Sequence, residues 1–142
     1  MRKHERLFLF LEGKFVWGSM EMKVIYENQV KALGACVGEF KEAGLFIIFG
    51  DDAPAELKDY CYSVSVNPIQ GRIEAGQKLC IDEEEFLITA VGSEVPVTLG
   101  GLGHCSISLS GLTEPELPGT IYVEKKAMPE IKAGTILRII AA

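Results

Sequence analysis

The chain has 142 residues, 48% of them hydrophobic, and a net charge of −6 at neutral pH. This length favours a single domain, and the hydrophobic content argues against intrinsic disorder. The negative charge, with no basic stripe to neutralise phosphates, argues against a nucleic-acid partner. An acidic surface is typical instead of a protein that meets basic partners.

The N-terminal segment, residues 1–21, lacks the pattern of the remaining chain. Its apolar run at residues 7–11 is shorter than the core of a secretory signal and far shorter than a membrane helix. We therefore expect residues 1–21 to be an extension outside the fold, with no membrane insertion, and residues 22–142 to form the domain. A chain that starts at Met20 or Met22 should fold as stably as the full chain.

The first half of the domain predicts strands separated by short helical turns. Strands are expected at residues 23–30, 45–49 and 60–66. Residues 35–43 have helical character, and Asp52 followed by Pro54 and Glu56 is typical of the start of a helix. Within 60–66 the alternation places Val64 on the face of the two tyrosines and Ser63 on the other.

The second half continues the strand pattern. Strands are expected at residues 79–81, 86–91, 105–109, 121–123 and 136–139, and the first two form a hairpin around an acidic turn. The link at residues 92–103 has no defined structure. These elements predict an all-β fold, a small Greek-key-like β-barrel with one or two short helices. An exposed apolar edge strand would favour a homodimer.

The cysteines and the common catalytic motifs indicate neither a metal site nor a cofactor site. The four cysteines (Cys36, Cys61, Cys80 and Cys105) form no Cys-x-x-Cys pair, and no histidine lies at metal-ligand spacing. Single cysteines in apolar runs are typical of the core of a cytoplasmic protein. The chain also has no glycine-rich phosphate loop and no Gly-x-Ser-x-Gly motif.

His104 is the candidate catalytic residue. It is one of two histidines in the sequence, the other being His4. Cys105, Ile107 and Leu109 alternate with polar residues, which places His104 on the polar face of a strand. A strand beside a rigid proline-containing loop can hold a reactive imidazole in a fixed geometry. The alternative is a structural, hydrogen-bonding histidine.

Segments in register across residues 22–140 resemble one family. They are Val-Ile-Tyr at 24–26, Ala-Pro-Ala-Glu-Leu at 53–57, Thr-Ala-Val-Gly at 89–92, Leu-Gly-His at 102–104 and Leu-Pro-Gly-Thr at 117–120, with Ala-Gly at 133–134. In this order they resemble the glucitol/sorbitol-specific IIA component of the bacterial phosphotransferase system. The resemblance implies a cytoplasmic phosphocarrier that takes a phosphoryl group from the phosphocarrier HPr onto a histidine. It then passes the group to a IIB component of a IIB/IIC sugar permease.

The chain departs from that family at the site. The resemblance places the family's phosphoacceptor histidine at Val64, which cannot accept a phosphoryl group, and no histidine lies between His4 and His104. Ser63 and Ser65 flank Val64, but no histidine base is near them in sequence. Either His104 is the acceptor, or the chain is a non-catalytic binding or regulatory module on the same fold. A Val64→His change should restore an acceptor if that strand face borders a pocket.

Overall fold

The structure, a computed structural model, describes residues 8–11, 14–17 and 20–142. Within these residues eleven strands form one sheet, accompanied by two short α-helices and one 3₁₀ turn. The strands are β1 (Phe8–Leu11), β2 (Lys14–Trp17), β3 (Met20–Gln29), β4 (Ala32–Leu33), β5 (Leu45–Phe49), β6 (Tyr62–Ser63), β7 (Lys78–Ile81), β8 (Glu84–Val91), β9 (Cys105–Ser108), β10 (Thr120–Val123) and β11 (Ile136–Ala141). The helices are α1 (Ala55–Lys58) and α2 (Val95–Leu102), and the 3₁₀ turn is Val37–Phe40. The predicted all-β fold is confirmed.

The strands pair in the order β1-β2-β3-β11-β7-β8-β10-β9-β5-β6-β4. Neighbours are antiparallel except for the pairs β9–β10 and β5–β6. The hairpin predicted around the acidic turn is present as β7 and β8, with Asp82 in the turn at a positive φ of 53°. Its carboxylate oxygen Oδ1 accepts a hydrogen bond from the Ile136 amide at 2.9 Å, which ties the turn to β11.

The sheet rolls up because β3 leads into β4 after only two residues. One segment therefore links β3, the third strand of the order, to β4, the last. At this seam the Lys31 amide donates to the Ser63 carbonyl at 2.7 Å. The buried Asn28 side chain donates to the Ser65 carbonyl at 2.7 Å and accepts from the Ser65 amide at 3.3 Å. The sheet is thus rolled like the expected barrel, but a continuous strand ladder does not close it.

Apolar side chains from alternating strand positions fill the interior of the rolled sheet. In β9, Cys105 and Ile107 are buried while Ser106 and Ser108 are half-buried, as the alternation predicts. The most deeply buried side chains are Phe46, Phe86, Ile88, Leu99, Ile121, Leu137, Ile139, Val30, Val64, Val95, Val123 and Cys105. These side chains come from β5, from β8–β11, from α2 and from the residues that directly follow β3 and β6, so the helix is an integral part of the domain.

Several elements differ from their sequence-based predictions. β5 has the predicted bounds, but the strand expected at residues 60–66 pairs only at Tyr62–Ser63, because its neighbour β4 is itself two residues long. The helical stretch expected at residues 35–43 is a single 3₁₀ turn. Helix α1 starts after Pro54, whose side chain makes no capping bond, so Asp52 is not the helix cap.

The link at residues 92–103, expected to have no defined structure, contains α2. Its sequence lacks a polar face, and Gly100 and Gly101 are poor helix formers, so the usual amphipathic period is absent. Two end signals are nevertheless present. Pro96 lies in the first turn, and Gly103 ends the helix in the left-handed conformation with φ of 69°.

The N-terminal strands β1 and β2 extend the sheet beyond β3, at one end of the strand order. β1 pairs with β2, and β2 pairs with the first half of β3 from Lys14↔Lys23 to Trp17↔Met20. β3 begins at Met20, two residues before the expected domain boundary at 22. Whether residues 1–21 contribute to stability stays a prediction. No helix within the described ranges is long and apolar enough to cross a membrane.

Candidate functional site

His104 lies at the junction between α2 and β9, one residue before the strand rather than inside it. Gly103 ends the helix, and its amide donates to the Leu99 carbonyl at 3.0 Å. The His104 amide donates to the Thr98 carbonyl, also at 3.0 Å. The expected strand position is therefore corrected: the end of a helix holds the backbone of this residue, and its side chain is half-buried.

Two glycines let this junction pack directly on the end of β5. The Gly50 amide donates to the Leu102 carbonyl at 3.0 Å. A Cβ added at Gly50 would lie 2.5 Å from the Leu102 carbonyl oxygen, and one at Gly103 would lie 3.0 Å from the Gly50 nitrogen. Backbone meets backbone here, with no space for side chains. The position of His104 is therefore set by β5 as well as by its own helix.

The imidazole of His104 is held from two sides by consecutive residues of β5. Its Nδ1 lies 3.2 Å from the Ile48 carbonyl oxygen. The ring stacks on Phe49, with centroids 4.2 Å apart and planes inclined by 23°. Because a carbonyl can only accept, Nδ1 must carry the proton, and the neutral ring then has its lone pair on Nε2. The contact thus selects one tautomer of the histidine.

That tautomer suits nucleophilic chemistry at Nε2. Within residues 8–11, 14–17 and 20–142, Nε2 makes no hydrogen bond, whereas Nδ1 is bonded to Ile48. An oriented imidazole whose second nitrogen is unprotonated can attack an electrophilic phosphorus or carbon atom near neutral pH. A structural histidine would also be held by the bond at Nδ1 alone, so this geometry fits both the catalytic and the structural alternative.

Val64, the position at which the resemblance placed the family acceptor, lies inside the core. Its side chain has no exposed surface, and its amide donates to the Phe49 carbonyl at 2.9 Å. At Val64 itself the strand therefore faces the core and not open space. Ser63 and Ser65 are half-buried on either side, and the backbone of Ser65 is bonded to Asn28.

The cysteines show no sign of reactivity. Cys61, Cys80 and Cys105 are buried, and Cys36 is half-buried. Burial raises the pKa of the Cys105 thiol to about 12 and also raises the pKa of Cys61. These two thiols stay protonated near neutral pH and pack as small apolar residues. Among the described residues, no group of three or more His, Cys, Asp or Glu side chains could hold a metal ion.

Comparison with known proteins identifies the family. The family model described as "PTS system glucitol/sorbitol-specific IIA component" matches residues 25–138. The glucitol/sorbitol-specific EIIA components of Shigella flexneri and Escherichia coli strain K12 are each 31% identical over 117 residues, which cover 82% of this chain and 95% of each relative. The chain is thus a component of the phosphotransferase-system class. It belongs to the glucitol/sorbitol-specific IIA family, as its motifs indicated.

A solved structure shows the same fold. The crystal structure of the PTS system IIA component from Enterococcus faecalis V583 superposes with a TM-score of 0.71. It is 21% identical in sequence, and the match covers 82% of this chain and all of that one. At this identity the likeness concerns the fold alone. It supports the rolled sheet described above for the part of the chain that matches.

Proposed function

We propose that this protein is a cytoplasmic phosphocarrier of a sorbitol-type sugar uptake system, with Nε2 of His104 as the phosphoryl acceptor. The donor is HPr, and the recipient is the IIB component of a IIB/IIC permease. Membership of the IIA family supports the class of reaction. The single observation that carries the choice of residue is the contact of Nδ1 with the Ile48 carbonyl, because it leaves Nε2 as the nucleophile.

The transfer is a displacement at phosphorus that releases no proton. The Nε2 lone pair forms a new P–N bond while the P–N bond to the donor histidine breaks. If the donor ring is a phosphorylated imidazolium, it leaves as a neutral imidazole. The Ile48 carbonyl keeps the proton on Nδ1 of His104, so the product is again a phosphorylated imidazolium. Its neutral leaving group makes onward transfer to the next protein easy.

The stacking of His104 on Phe49 favours the same species. The ring centroids are 4.2 Å apart, within the range over which an aromatic face attracts a cation. Phosphorylation with Nδ1 still protonated puts positive charge on the imidazole, and the Phe49 face stabilises that charge. Phe49 thus holds the ring in place before transfer and favours the charged form after it.

Incubation with phosphoenolpyruvate, enzyme I and HPr tests this function. The wild-type protein should acquire one acid-labile phosphoryl group, and His104→Ala should remove it. His4→Ala is the matched control, because His4 is the only other histidine in the sequence, and it should keep the label. An acid-stable adduct would point to a serine and contradict the assignment. Absence of any adduct on folded wild-type protein would leave the non-catalytic module.

A further inference from the structure

All four hydrogen-bonding positions of the Asn28 side chain, near the end of β3, are filled. The residue is buried, with 4% of its surface exposed. Its Nδ2 group donates to the Tyr26 hydroxyl and to the Ser65 carbonyl, both at 2.7 Å. Its Oδ1 atom accepts from the Gln29 amide at 2.9 Å and from the Ser65 amide at 3.3 Å. Because a carboxamide makes four such bonds at most, this side chain is held in one orientation.

The two bonds to Ser65 take the place of a neighbouring strand. The pairing of β6 with β4 and with β5 ends at Ser63. Beyond that point the Val64 amide still donates to the Phe49 carbonyl, on the side of β5. On the other side, the Asn28 side chain offers Ser65 one donor and one acceptor, as the backbone of a paired strand would. Asn28 therefore supports the chain where strand pairing has ended.

The segment that contains Ser65 lies against both supports of His104. The Ser65 carbonyl oxygen is 3.1 Å from the place that a Cβ added at Gly103 would occupy, so it packs against the glycine that precedes His104. The residue before Ser65 donates its amide to the carbonyl of Phe49, whose ring stacks on the imidazole. A movement of this segment would therefore displace the backbone that carries the imidazole and the ring that covers it.

We propose that Asn28 is a positioning residue for the imidazole of His104. Its side-chain bonds go to other groups, so it acts on the ring through the backbone alone. Asn28 fixes Ser65, and Ser65 fixes the junction at Gly103. Nδ1 then stays on the Ile48 carbonyl, and Nε2 keeps one direction. An effect of Asn28 on phosphoryl transfer rests on the proposed function, whereas its effect on the ring can be measured without a phosphoryl donor.

The test compares Asn28→Ala with Gln77→Ala as the matched control. Gln77 is 8% exposed, and its side chain also bridges backbone groups. Its Nε2 group donates to the Arg72 carbonyl at 2.7 Å, and its Oε1 atom accepts from the Glu74 amide at 3.1 Å. These residues precede β7, which pairs with β8 and β11 rather than with β5 or β9. Both variants should melt at a lower temperature than wild type, because both remove bonds to backbone groups, but only Asn28→Ala should affect His104.

The first measurement is the NMR spectrum of the His104 ring in the free protein. In wild type and in Gln77→Ala, the neutral ring should carry its proton on Nδ1 alone. In Asn28→Ala, a measurable share of the neutral ring should carry the proton on Nε2, because the contact with the Ile48 carbonyl loosens. The ring protons should also lose part of the shift that stacking on Phe49 produces. A merely structural role of Asn28 would lower the melting temperature and leave both signals unchanged.

The second measurement is the initial rate of transfer from phosphorylated HPr at increasing HPr concentrations. Asn28→Ala should lower the maximum rate roughly 10- to 100-fold, because a displaced nucleophile is rarely in line with the phosphorus atom. KM should change little, since no exposed side chain is altered. Gln77→Ala should keep the wild-type maximum rate. If Asn28→Ala does not fold at the assay temperature, Asn28→Ser, which retains a hydroxyl group, repeats both measurements.

Two results would overturn the positioning role of Asn28. The first is a folded Asn28 variant in which the tautomer of His104 and the maximum rate are those of wild type. The second is an equal change of both in Gln77→Ala, since loss of stability alone would then explain the effect. If wild type accepts no phosphoryl group, the proposed function fails, and the NMR comparison still decides the role of Asn28. Transfer to wild type that is indifferent to Asn28→Ala refutes only this role.

Discussion

Val64 and His104 both contact Phe49, yet they lie in opposite environments. The Val64 amide donates to the Phe49 carbonyl, and its side chain is sealed in the core. The His104 ring stacks on the Phe49 side chain and is half-buried at the surface. A phosphoryl acceptor needs a lone pair that is held in place and space for a donor in front of it. Of these two positions, only His104 has a ring nitrogen held by a hydrogen bond on a side chain that is partly exposed.

The packing around Val64 and His104 determines which kind of side chain each position can hold. Burying a valine side chain contributes about 1.5–3 kcal/mol, and a polar ring without a partner at the same place would cost free energy instead. At position 104 a polar ring is accommodated without this cost. The Ile48 carbonyl satisfies one ring nitrogen, Phe49 covers one face, and the other nitrogen remains available.

Placing a histidine at the sealed position gives the largest expected effect on stability. Val64→His should lower the free energy of unfolding by about 1–3 kcal/mol, because the ring is buried without a hydrogen-bond partner. Combined with His104→Ala, it should produce no acid-labile adduct. Urea denaturation and phosphoryl labelling measure the two effects.

Val66→His is the matched control for this substitution. Position 66 is two residues further along the chain and 47% exposed, so the imidazole there stays solvated. Equal stability of Val64→His and Val66→His would contradict the burial of position 64. A phosphoryl adduct on the imidazole introduced by Val64→His would contradict it as well.

A second substitution tests how firmly the accessible position is held. Gly103→Ala should cost about 1–2 kcal/mol, because φ is 69° there and the new Cβ would lie 3.0 Å from the Gly50 nitrogen. The shift of the junction should also slow phosphoryl transfer to His104. Gly101→Ala, in α2 with nothing within 4 Å of the added Cβ, is the control and should be neutral or stabilising. Similar losses in both variants would contradict the described packing.

The sequence predicted the parts of the fold that follow from local periodicity. The alternation in β9 and the apolar run of β5 were visible, and both strands lie where expected. The seam between β3 and β6 was not visible in the sequence. The length of β6 depends on tertiary contacts, because this strand is paired only where β4 and the end of β5 reach it. Helix α2 escaped detection because its glycines and apolar faces hide the helical period.

The candidate site was predicted in part. His104 could be singled out because it is the only histidine in residues 22–142. Its partners could not, because Ile48 and Phe49 reach it through the pairing of β5 with β9, in which Ile48 lies opposite Cys105. The burial of Val64 was equally out of reach, since alternation assigns a residue to a face without saying whether that face borders a pocket or the core.

A third prediction concerns Cys105, the sealed neighbour of His104. Its pKa is raised to about 12 by burial, so the unfolded thiol ionises at a lower pH than the folded one. The resulting stability is fully present below the ordinary thiol pKa of about 9 and is lost as the pH rises towards 12. The raised pKa of Tyr26, also about 12, acts in the same direction above about pH 10.

Denaturation curves at a series of alkaline pH values check this effect. Stability of the wild type should fall across this range, and Cys105→Ala should give a shallower decline once the difference at pH 7 is subtracted. If the free energy of unfolding declines equally with pH in the variant, the Cys105 thiol is hydrated. Cys105 would then count as accessible to water, not as sealed in the core.

The smallest expected effect is that of removing the N-terminal strands. A chain that starts at Met20 should melt within about 2 °C of the full chain, well under 1 kcal/mol, because β3 keeps its pairing with β11. It should also accept phosphate at the same rate, since neither Val64 nor His104 lies on the edge where β2 pairs. A loss of several degrees on thermal unfolding would show that residues 1–19 are part of the domain.

NMR observation of the two ring nitrogens of His104 tests directly whether Nε2 accepts the phosphoryl group. When the imidazole of the free protein is neutral, long-range proton–nitrogen correlation should show the proton on Nδ1 and none on Nε2. After phosphorylation by HPr, a single phosphoramidate phosphorus signal should couple to Nε2 of this ring. A proton on Nε2 of the neutral ring, or a phosphoryl group on any other atom, would contradict the account.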